Sequence, residues 1–192
     1  MTDQPAAHAL SPHPGTPCAA VQRLEVTLAN AASGQAWHLR YELTGDLDRL
    51  RVPPASGQPS PKDGLWRHTC FEVFVGSAGS AAYREFNFSP SGDWAAYAFS
   101  VPRVRDAAAE PLPAPRLACT RAPRRLTLEA WLPWSALPPP GDGGALVGLS
   151  AVIETLDGGL AYWALRHPAA RPDFHDRAGW TARGPHPHPL TP

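Results

Sequence analysis

The sequence predicts an all-β protein, built either as a β-sandwich or as a β-barrel. About nine segments alternate apolar and polar residues with the two-residue period of a strand. The chain has 24 prolines and 16 glycines, which lie mainly between these segments as turn residues do. No candidate helix keeps a 3.6-residue period for more than about ten residues. Many short strands joined by turns favour a sandwich or a barrel over an α/β fold.

A chain of 192 residues with 43% hydrophobic residues can bury one sizeable core. We therefore expect a single domain over residues 19–182. Residues 1–18 and 183–192 are rich in Pro, Ala or His and show no periodicity, so we expect two disordered tails.

Charge and cysteine content restrict the function classes. The formal net charge is zero, which argues against a nucleic-acid-binding or membrane-surface protein. The first residues lack a basic segment followed by an apolar run, so we expect neither a signal peptide nor a membrane span. Three scattered cysteines form no disulfide framework or zinc motif, and a reduced, cytoplasmic protein is predicted.

The first two predicted strands, residues 21–30 and 35–45, each carry a clean apolar stripe, and a Pro- and Gly-rich loop over residues 53–64 follows them. After the central segment, residues 101–115 form a long connection. Four further strands are predicted over residues 116–123, 124–137, 145–155 and 159–168, and residues 170–180 are irregular.

Residues 65–99 form the central segment, with three predicted strands and two turns. Alternation places Phe71 and Phe86 on a core-facing side of the first two strands. Glu72, Glu85 and their polar neighbours lie on the other side. Glu129, in a later strand, also lies on an outward stripe. The outward side is either a solvated face or the floor of a ligand site.

Two carboxylates of the central segment, Glu72 and Glu85, are predicted on neighbouring strands that place side chains about 5 Å apart. Trp66, His68 and Asn87 share the segment. Aromatic rings beside hydrogen-bonding groups are typical of sugar-binding surfaces, whereas paired carboxylates also suit glycoside hydrolysis. Solvent-exposed glutamates on an open face explain the pattern equally well.

A second group of polar residues follows the last strand. Trp163, Arg166 and His167 lead into Asp173 and His175. Arginine binds carboxylates or phosphates with two parallel hydrogen bonds, so this segment is a candidate rim for a site. An equally open interpretation is that Arg166 and Asp173 join the chain end to the sheet. The histidines lack the spacing of a helical metal motif, and no metal site is predicted.

The segments LWRHTCFEVFV, YREFNFSPSGDWAAYAF and YWALRHPAARPDFH resemble the bacterial DOMON-like proteins. Those proteins are similar in turn to family 9 carbohydrate-binding modules and to DOMON domains that bind haem or sugars. The resemblance covers about residues 20–182 and implies a jelly-roll-like antiparallel β-sandwich with a ligand cleft on one sheet. It implies sugar contacts at Glu72 and Trp66, with Trp163 as a candidate second aromatic.

Together these observations predict a non-enzymatic, cytoplasmic domain that binds a small carbohydrate or sugar derivative without a cofactor. Its predicted site comprises Trp66, His68, Glu72, Glu85, Asn87, Trp163, Arg166, His167, Asp173 and His175. Three alternatives stay open. One is a haem- or metal-binding domain, with His68 and either His167 or His175 as haem ligands. The second is a glycoside hydrolase using Glu72 and Glu85, and the third is a domain whose aromatic face binds a partner protein.

Overall fold

A computed structural model describes residues 6–139, 141 and 143–186. Across these residues thirteen strands form two antiparallel sheets that pack face to face around a shared core. The predicted all-β sandwich is therefore confirmed. The barrel alternative was wrong, because the strand pairing of the described residues forms two separate sheets.

The strands vary from two to ten residues in length. Their bounds are Ala6–Ala9 (β1), Ser11–Pro12 (β2), Val21–Asn30 (β3), Ala36–Gly45 (β4), Cys70–Ser77 (β5), Tyr83–Phe88 (β6), Trp94–Val101 (β7), Val104–Arg105 (β8), Arg116–Ala122 (β9), Arg125–Pro133 (β10), Ala145–Glu154 (β11), Leu160–Ala164 (β12) and Ala182–Arg183 (β13). Single 3-10 turns occupy Leu47–Arg49, Leu65–Arg67, Ala107–Ala109, Trp134–Ala136 and Arg177–Gly179. In the described part of the chain, no helix has the length and apolar character needed to span a bilayer.

The first sheet, sheet A, has the strand order β1-β3-β4-β10-β9. The second, sheet B, has the order β2-β12-β11-β5-β6-β7-β8, and β13 also pairs with β11. Strands β5, β6 and β7 are consecutive antiparallel neighbours, as the turn between Ser89 and Gly92 requires. The middle of sheet B is therefore the central segment of the sequence.

The core lies between the inner faces of the two sheets. Strand alternation predicts its members because each long strand turns one apolar stripe inward. Tyr41 is fully buried there, and its hydroxyl donates a hydrogen bond of 2.8 Å to the Glu72 carbonyl, which ties β4 to β5. Other large members are Leu24, Trp37, Leu39, Phe71, Phe86, Phe88, Leu128 and Trp163.

All nine predicted strands form, and they correspond to β3–β7 and β9–β12. The prediction of a disordered tail over residues 1–18 was wrong for residues 6–12, which form β1 and β2. These strands are short, but backbone pairing to β3 and β12 and burial of Leu10 fix them in place. The second predicted disordered tail covered residues 183–192. Arg183 belongs to β13 and pairs with Leu146 of β11, while residues 187–192 lie outside the described residues.

The outer face of sheet B carries a second hydrophobic cluster, comprising Leu65, Cys70, Phe74, Tyr83, Ala95, Tyr97, Phe99 and Trp180. Trp180 anchors the segment after β12, residues 165–181, to this face, and we call it the covering segment. Its indole lies so close to Gly148 that a Cβ at that position would stand 2.4 Å from the ring. Any larger residue at Gly148 would therefore displace the indole. The segment consequently covers part of the sheet and forms a concave outer face.

Candidate functional site

The floor of the candidate site is formed by the outward side chains of β5, β6 and β11. Glu72 lies directly opposite Asn87 on one side and Ser150 on the other. Glu85 lies opposite Phe74, so the two glutamates are diagonal neighbours. Side chains at paired positions share one face of a sheet, and the register therefore gathers three polar groups around Glu72.

A cavity of about 420 Å³ opens above this floor. Small-molecule sites commonly measure about 300–1,000 Å³, so the cavity is large enough for a small ligand. Six of its fourteen lining residues have aromatic rings, and these are Trp66, Phe74, Tyr97, Phe99, Tyr162 and Phe174. Trp66 is 42% exposed, which leaves much of its indole surface available for contact.

Unpaired polar atoms are concentrated at the floor. Among the residues that the structure describes, Glu72 Oε1, Asn87 Oδ1 and Ser150 Oγ are buried without a hydrogen-bond partner. Glu72 itself is only 2% exposed. An unpaired buried polar group costs roughly 1–3 kcal/mol, and Glu72 is the member of this cross-strand row that lines the cavity, where a ligand can supply the missing partner.

Burial changes the protonation of both floor carboxyls. It raises the pKa of Glu72 well above its ordinary value, and the neighbouring Glu85 raises it further. Burial also raises the pKa of Glu85 to about 7, although the Asn87 amide and the guanidiniums of Arg105 and Arg103 oppose the shift. The amide donates to Glu85 Oε1 over 2.8 Å. Burial therefore favours the protonated form of Glu72, and near pH 7 Glu85 is present in both its protonated and its ionised form.

A polar network joins the floor to the covering segment. The Tyr83 hydroxyl shares a hydrogen bond of 2.7 Å with His175 Nδ1 and accepts one of 3.0 Å from the Arg103 backbone N–H. His175 Nε2 lies 3.7 Å from Glu85 Oε2. Burial and the nearby Arg103 lower the pKa of His175 to about 4, so the imidazole is neutral at pH 7.

Two arginines of the β7–β8 hairpin line the cavity, and each already has an acidic partner. Arg103 Nη2 lies 2.7 Å from Asp173 Oδ1, which joins the hairpin to the covering segment. Arg105 binds both oxygens of Glu110 at 3.0 and 2.7 Å. Its guanidinium also lies 4.1 Å from the centre of the Tyr97 ring, so it holds that wall in place.

The structure brings five of the ten residues predicted for the site to the cavity wall or floor: Trp66, Glu72, Glu85, Asp173 and His175. Asn87 lies buried beside them in hydrogen-bond contact with Glu85. The other four predicted residues, His68, Trp163, Arg166 and His167, do not line the cavity.

Physical reasons account for these four differences. Trp163 pairs with Ala151 on the inner face of sheet B and is buried in the core, so its neighbour Tyr162 faces the cavity instead. His68 turns to Glu154, 2.9 Å away. His167 hydrogen-bonds the Ser11 carbonyl at 2.9 Å, and Arg166 is exposed.

Several lining residues were missed by the sequence interpretation. Arg103 and Arg105 fell in a segment treated as a connection, although Arg103 lies in the tight turn that follows β7 and Arg105 lies in β8. Tyr162 could have been assigned from alternation, because Ala151 and Ile153 face inward and pair with Trp163 and Ala161. Ser150 does not line the cavity but lies buried opposite Glu72, and alternation could have placed it on the outer face because it is adjacent to the inward Ala151.

The residues that the structure describes do not form a metal site or the bis-histidine haem site that the sequence left open. No group of three His, Cys, Asp or Glu side chains suited to a metal ion occurs within the described residues. His175 lines the cavity, but its Nδ1 is engaged by Tyr83. His68 and His167 bind Glu154 and the Ser11 carbonyl, so the proposed pairs of haem ligands do not share the cavity.

Comparison with known proteins places the chain by fold and not by sequence. No family model and no curated protein matches it. A "putative carbohydrate-binding protein" from Bacteroides uniformis ATCC 8492 has a similar structure, with a TM-score of 0.57 and 17% identity over 91% of this chain and 84% of that chain.

A family 9 carbohydrate-binding module from Caldicellulosiruptor kristjanssonii, solved in complex with cellotriose, gives a TM-score of 0.48 and 10% identity over 81% of this chain and 72% of that chain. The first similarity supports the sandwich fold. The resemblance to DOMON-like proteins and the cytoplasmic location stay predictions.

Proposed function

We propose that this protein is a non-enzymatic domain that binds a small carbohydrate or sugar derivative in the cavity on the outer face of sheet B. One observation carries the proposal: an aromatic-walled cavity has a floor of buried polar atoms without partners. A sugar ring has apolar faces for aromatic contact and hydroxyl groups for hydrogen bonding at its edge. The carbohydrate-binding names of the two similar structures agree with the proposal.

The chemical roles follow from position. The exposed indole of Trp66 stacks on a sugar ring, and Tyr97, with its ring centre 6.1 Å from that of Trp66, forms the adjoining wall. In its protonated form, which burial favours, Glu72 both donates and accepts hydrogen bonds. Beside it, Asn87 Oδ1 can accept a hydrogen bond and the Ser150 hydroxyl can donate or accept one. These buried groups have already lost their hydrogen bonds to water in the free protein. A ligand that hydrogen-bonds to them therefore binds more tightly, because their desolvation adds no further cost on binding.

Calorimetric titration with monosaccharides, disaccharides, amino sugars and nucleotide sugars tests this function. We expect at least one sugar to bind, and Trp66→Ala to weaken its binding at least about tenfold, since stacking contacts contribute roughly 1 kcal/mol or more. Trp131→Ala is the matched control, because Trp131 lies on β10 of the other sheet and outside the cavity. The absence of binding by every sugar, with the protein folded, contradicts the proposal.

A glycoside hydrolase is the second candidate, because the floor contains two carboxyl groups whose pKa values are raised and whose strands are paired. Hydrolysis requires one carboxylic acid and one carboxylate beside the scissile bond. Incubation with chromogenic glycosides separates the two functions. Turnover that Glu72→Gln abolishes would favour the hydrolase, whereas binding without turnover favours the binding domain.

A further inference from the structure

We propose that the ligand carries a protonated amine, which binds against the floor formed by Glu72, Glu85 and Asn87, and that the preferred sugars are therefore amino sugars with a free amine. This inference rests on the proposed function and specifies its substrate class. It follows from the distribution of charged partners around the cavity.

The rim arginines are paired with other carboxylates. Arg103 binds Asp173 and Arg105 binds Glu110, in both cases with a shortest contact of 2.7 Å. The charges within each of these two pairs cancel, so the two floor carboxyls, Glu72 and Glu85, have no arginine as an ion-pair partner. Within the described residues, the basic side chain that comes nearest to the floor carboxyls is His175. Its Nε2 lies 3.7 Å from Glu85 Oε2, and its imidazole is neutral at pH 7.

Buried carboxyl groups are normally paired with a cation or held in hydrogen bonds. Glu85 is 5% exposed and accepts one hydrogen bond from Asn87. Glu72 Oε1 accepts none from the residues described. The floor therefore has two carboxyl groups without a cationic partner, and a ligand ammonium is a group that would form ion pairs with them once they ionise.

The geometry of the acceptors matches an ammonium group. A primary ammonium has three N–H donors and no acceptor. Glu72 and Asn87 are directly opposite on neighbouring strands, Glu85 precedes Asn87 by two residues on β6 and is diagonal to Glu72, and all three face the same side of the sheet. Their oxygens can therefore accept the three donors. Aromatic walls also favour a cation, since ring faces attract positive charge.

Other titratable groups around the pair do not compete for this role. Burial raises the pKa values of the neighbouring hydroxyl and thiol groups, so they stay neutral at pH 7; they belong to Tyr41, Cys70, Tyr83 and Tyr97. Arg103 and Arg105 repel a second cation at the rim, but each is screened by its own carboxylate. An ammonium at the floor therefore favours ionised glutamates, and its binding releases protons from them.

Titration calorimetry at pH 7 with glucosamine, glucose and N-acetylglucosamine tests the inference, because the three sugars differ mainly at one position. We expect glucosamine to bind about tenfold or more tightly than either neutral sugar, as charge-assisted hydrogen bonds to carboxylates contribute about 1.5–3 kcal/mol. Repeating the titration in two buffers with different ionisation enthalpies should reveal proton release for glucosamine only. Affinity for glucosamine should increase as pH rises from 6 to 7.

Variants locate the effect. Glu72→Gln and Glu85→Gln should each remove most of the preference for glucosamine, while Glu129→Gln on the outer face of sheet A should leave it unchanged. Equal affinities for the three sugars, or tighter binding of N-acetylglucosamine, would overturn the inference and leave sugar binding intact.

Cyclohexylamine and cyclohexanol, probed in parallel, distinguish failure of the inference from failure of the proposed function. Selective binding of cyclohexylamine without binding of any sugar supports the amine site and overturns the sugar-binding function. Failure of all five probes to bind the folded protein contradicts the amine inference, and the sugar-binding function is contradicted as well only if the disaccharides and nucleotide sugars also fail to bind.

Discussion

The outer faces of the two sheets have similar sequence patterns and different physical properties. On sheet A, the His38 ring is stacked 4.7 Å from Trp131, and its Nε2 lies 3.0 Å from Glu129 Oε1. Arg116 completes that cluster by lying 3.5 Å above the Trp131 ring. On sheet B, Glu72 is buried, and no partner for its Oε1 occurs among the residues described.

The difference arises from what covers each face. The segment that contains Asp173 and His175 packs over sheet B, and Trp180 anchors it against Gly148. The β7–β8 hairpin closes another side. Polar side chains on sheet A stay partly exposed and pair with one another, whereas those on sheet B are desolvated before any ligand binds. An alternating polar stripe is therefore a functional signal only where another segment buries it.

The largest expected difference between the faces is in packing. Phe74→Ala should lower the free energy of unfolding by about 3–5 kcal/mol, because Phe74 is fully buried between the covering segment and the sheet. Trp131→Ala should cost only about 1 kcal/mol, since it removes surface stacking. Denaturant unfolding measures both. Equal costs would show that sheet B has no second core.

An intermediate effect is expected in the pH dependence of stability. Glu85 has a folded-state pKa of about 7, above its unfolded value, so its contribution is fully present below about pH 4.3 and is lost as pH rises through 7. The wild-type protein should therefore lose up to about 3 kcal/mol relative to Glu85→Gln between pH 4 and pH 8.

Glu129→Gln is the matched comparison on sheet A, where the carboxylate is partly exposed and paired with His38. Unfolding free energies measured across this pH range should show a much smaller difference from wild type. A pH profile for Glu85→Gln parallel to that of the wild type would argue against a buried, protonated Glu85.

The smallest expected effect concerns the backbone of the hairpin that lines the cavity. Arg103 has a φ of 64°, a conformation that costs non-glycine residues about 1 kcal/mol. Arg103→Gly should therefore be about 1 kcal/mol more stable than Arg103→Ala, although both lose the contact with Asp173. Thermal unfolding of the two variants measures this difference.

On sheet A, the stability difference between the Gly and Ala variants should have the opposite sign at Arg116, because Arg116 lies in the extended strand β9. There Arg116→Ala should be more stable than Arg116→Gly by about 0.5–1 kcal/mol, the usual entropic cost of glycine in a strand. The same order of stability at both positions would contradict the left-handed conformation at Arg103.

Sequence alone determined the nine main strands and their inward stripes, because a two-residue period and Pro- and Gly-rich breaks are local properties. It also placed Glu72, Glu85 and Asn87 on one face, since alternation along β5 and β6 follows directly from their spacing. The short strands β1 and β2 could not be found this way. Their stability comes from pairing with β3 and β12, which are distant in sequence.

Only the tertiary structure decided which outward residues form a site. Trp163 belongs to the core because of its register with Ala151, and His68 turns to Glu154 on a neighbouring strand. Arg103 reaches the cavity because the β7–β8 hairpin is closed by a tight turn and approaches the covering segment at Asp173. Burial, partner choice and pKa values depend on contacts between segments far apart in sequence, and the local pattern of residues does not encode them.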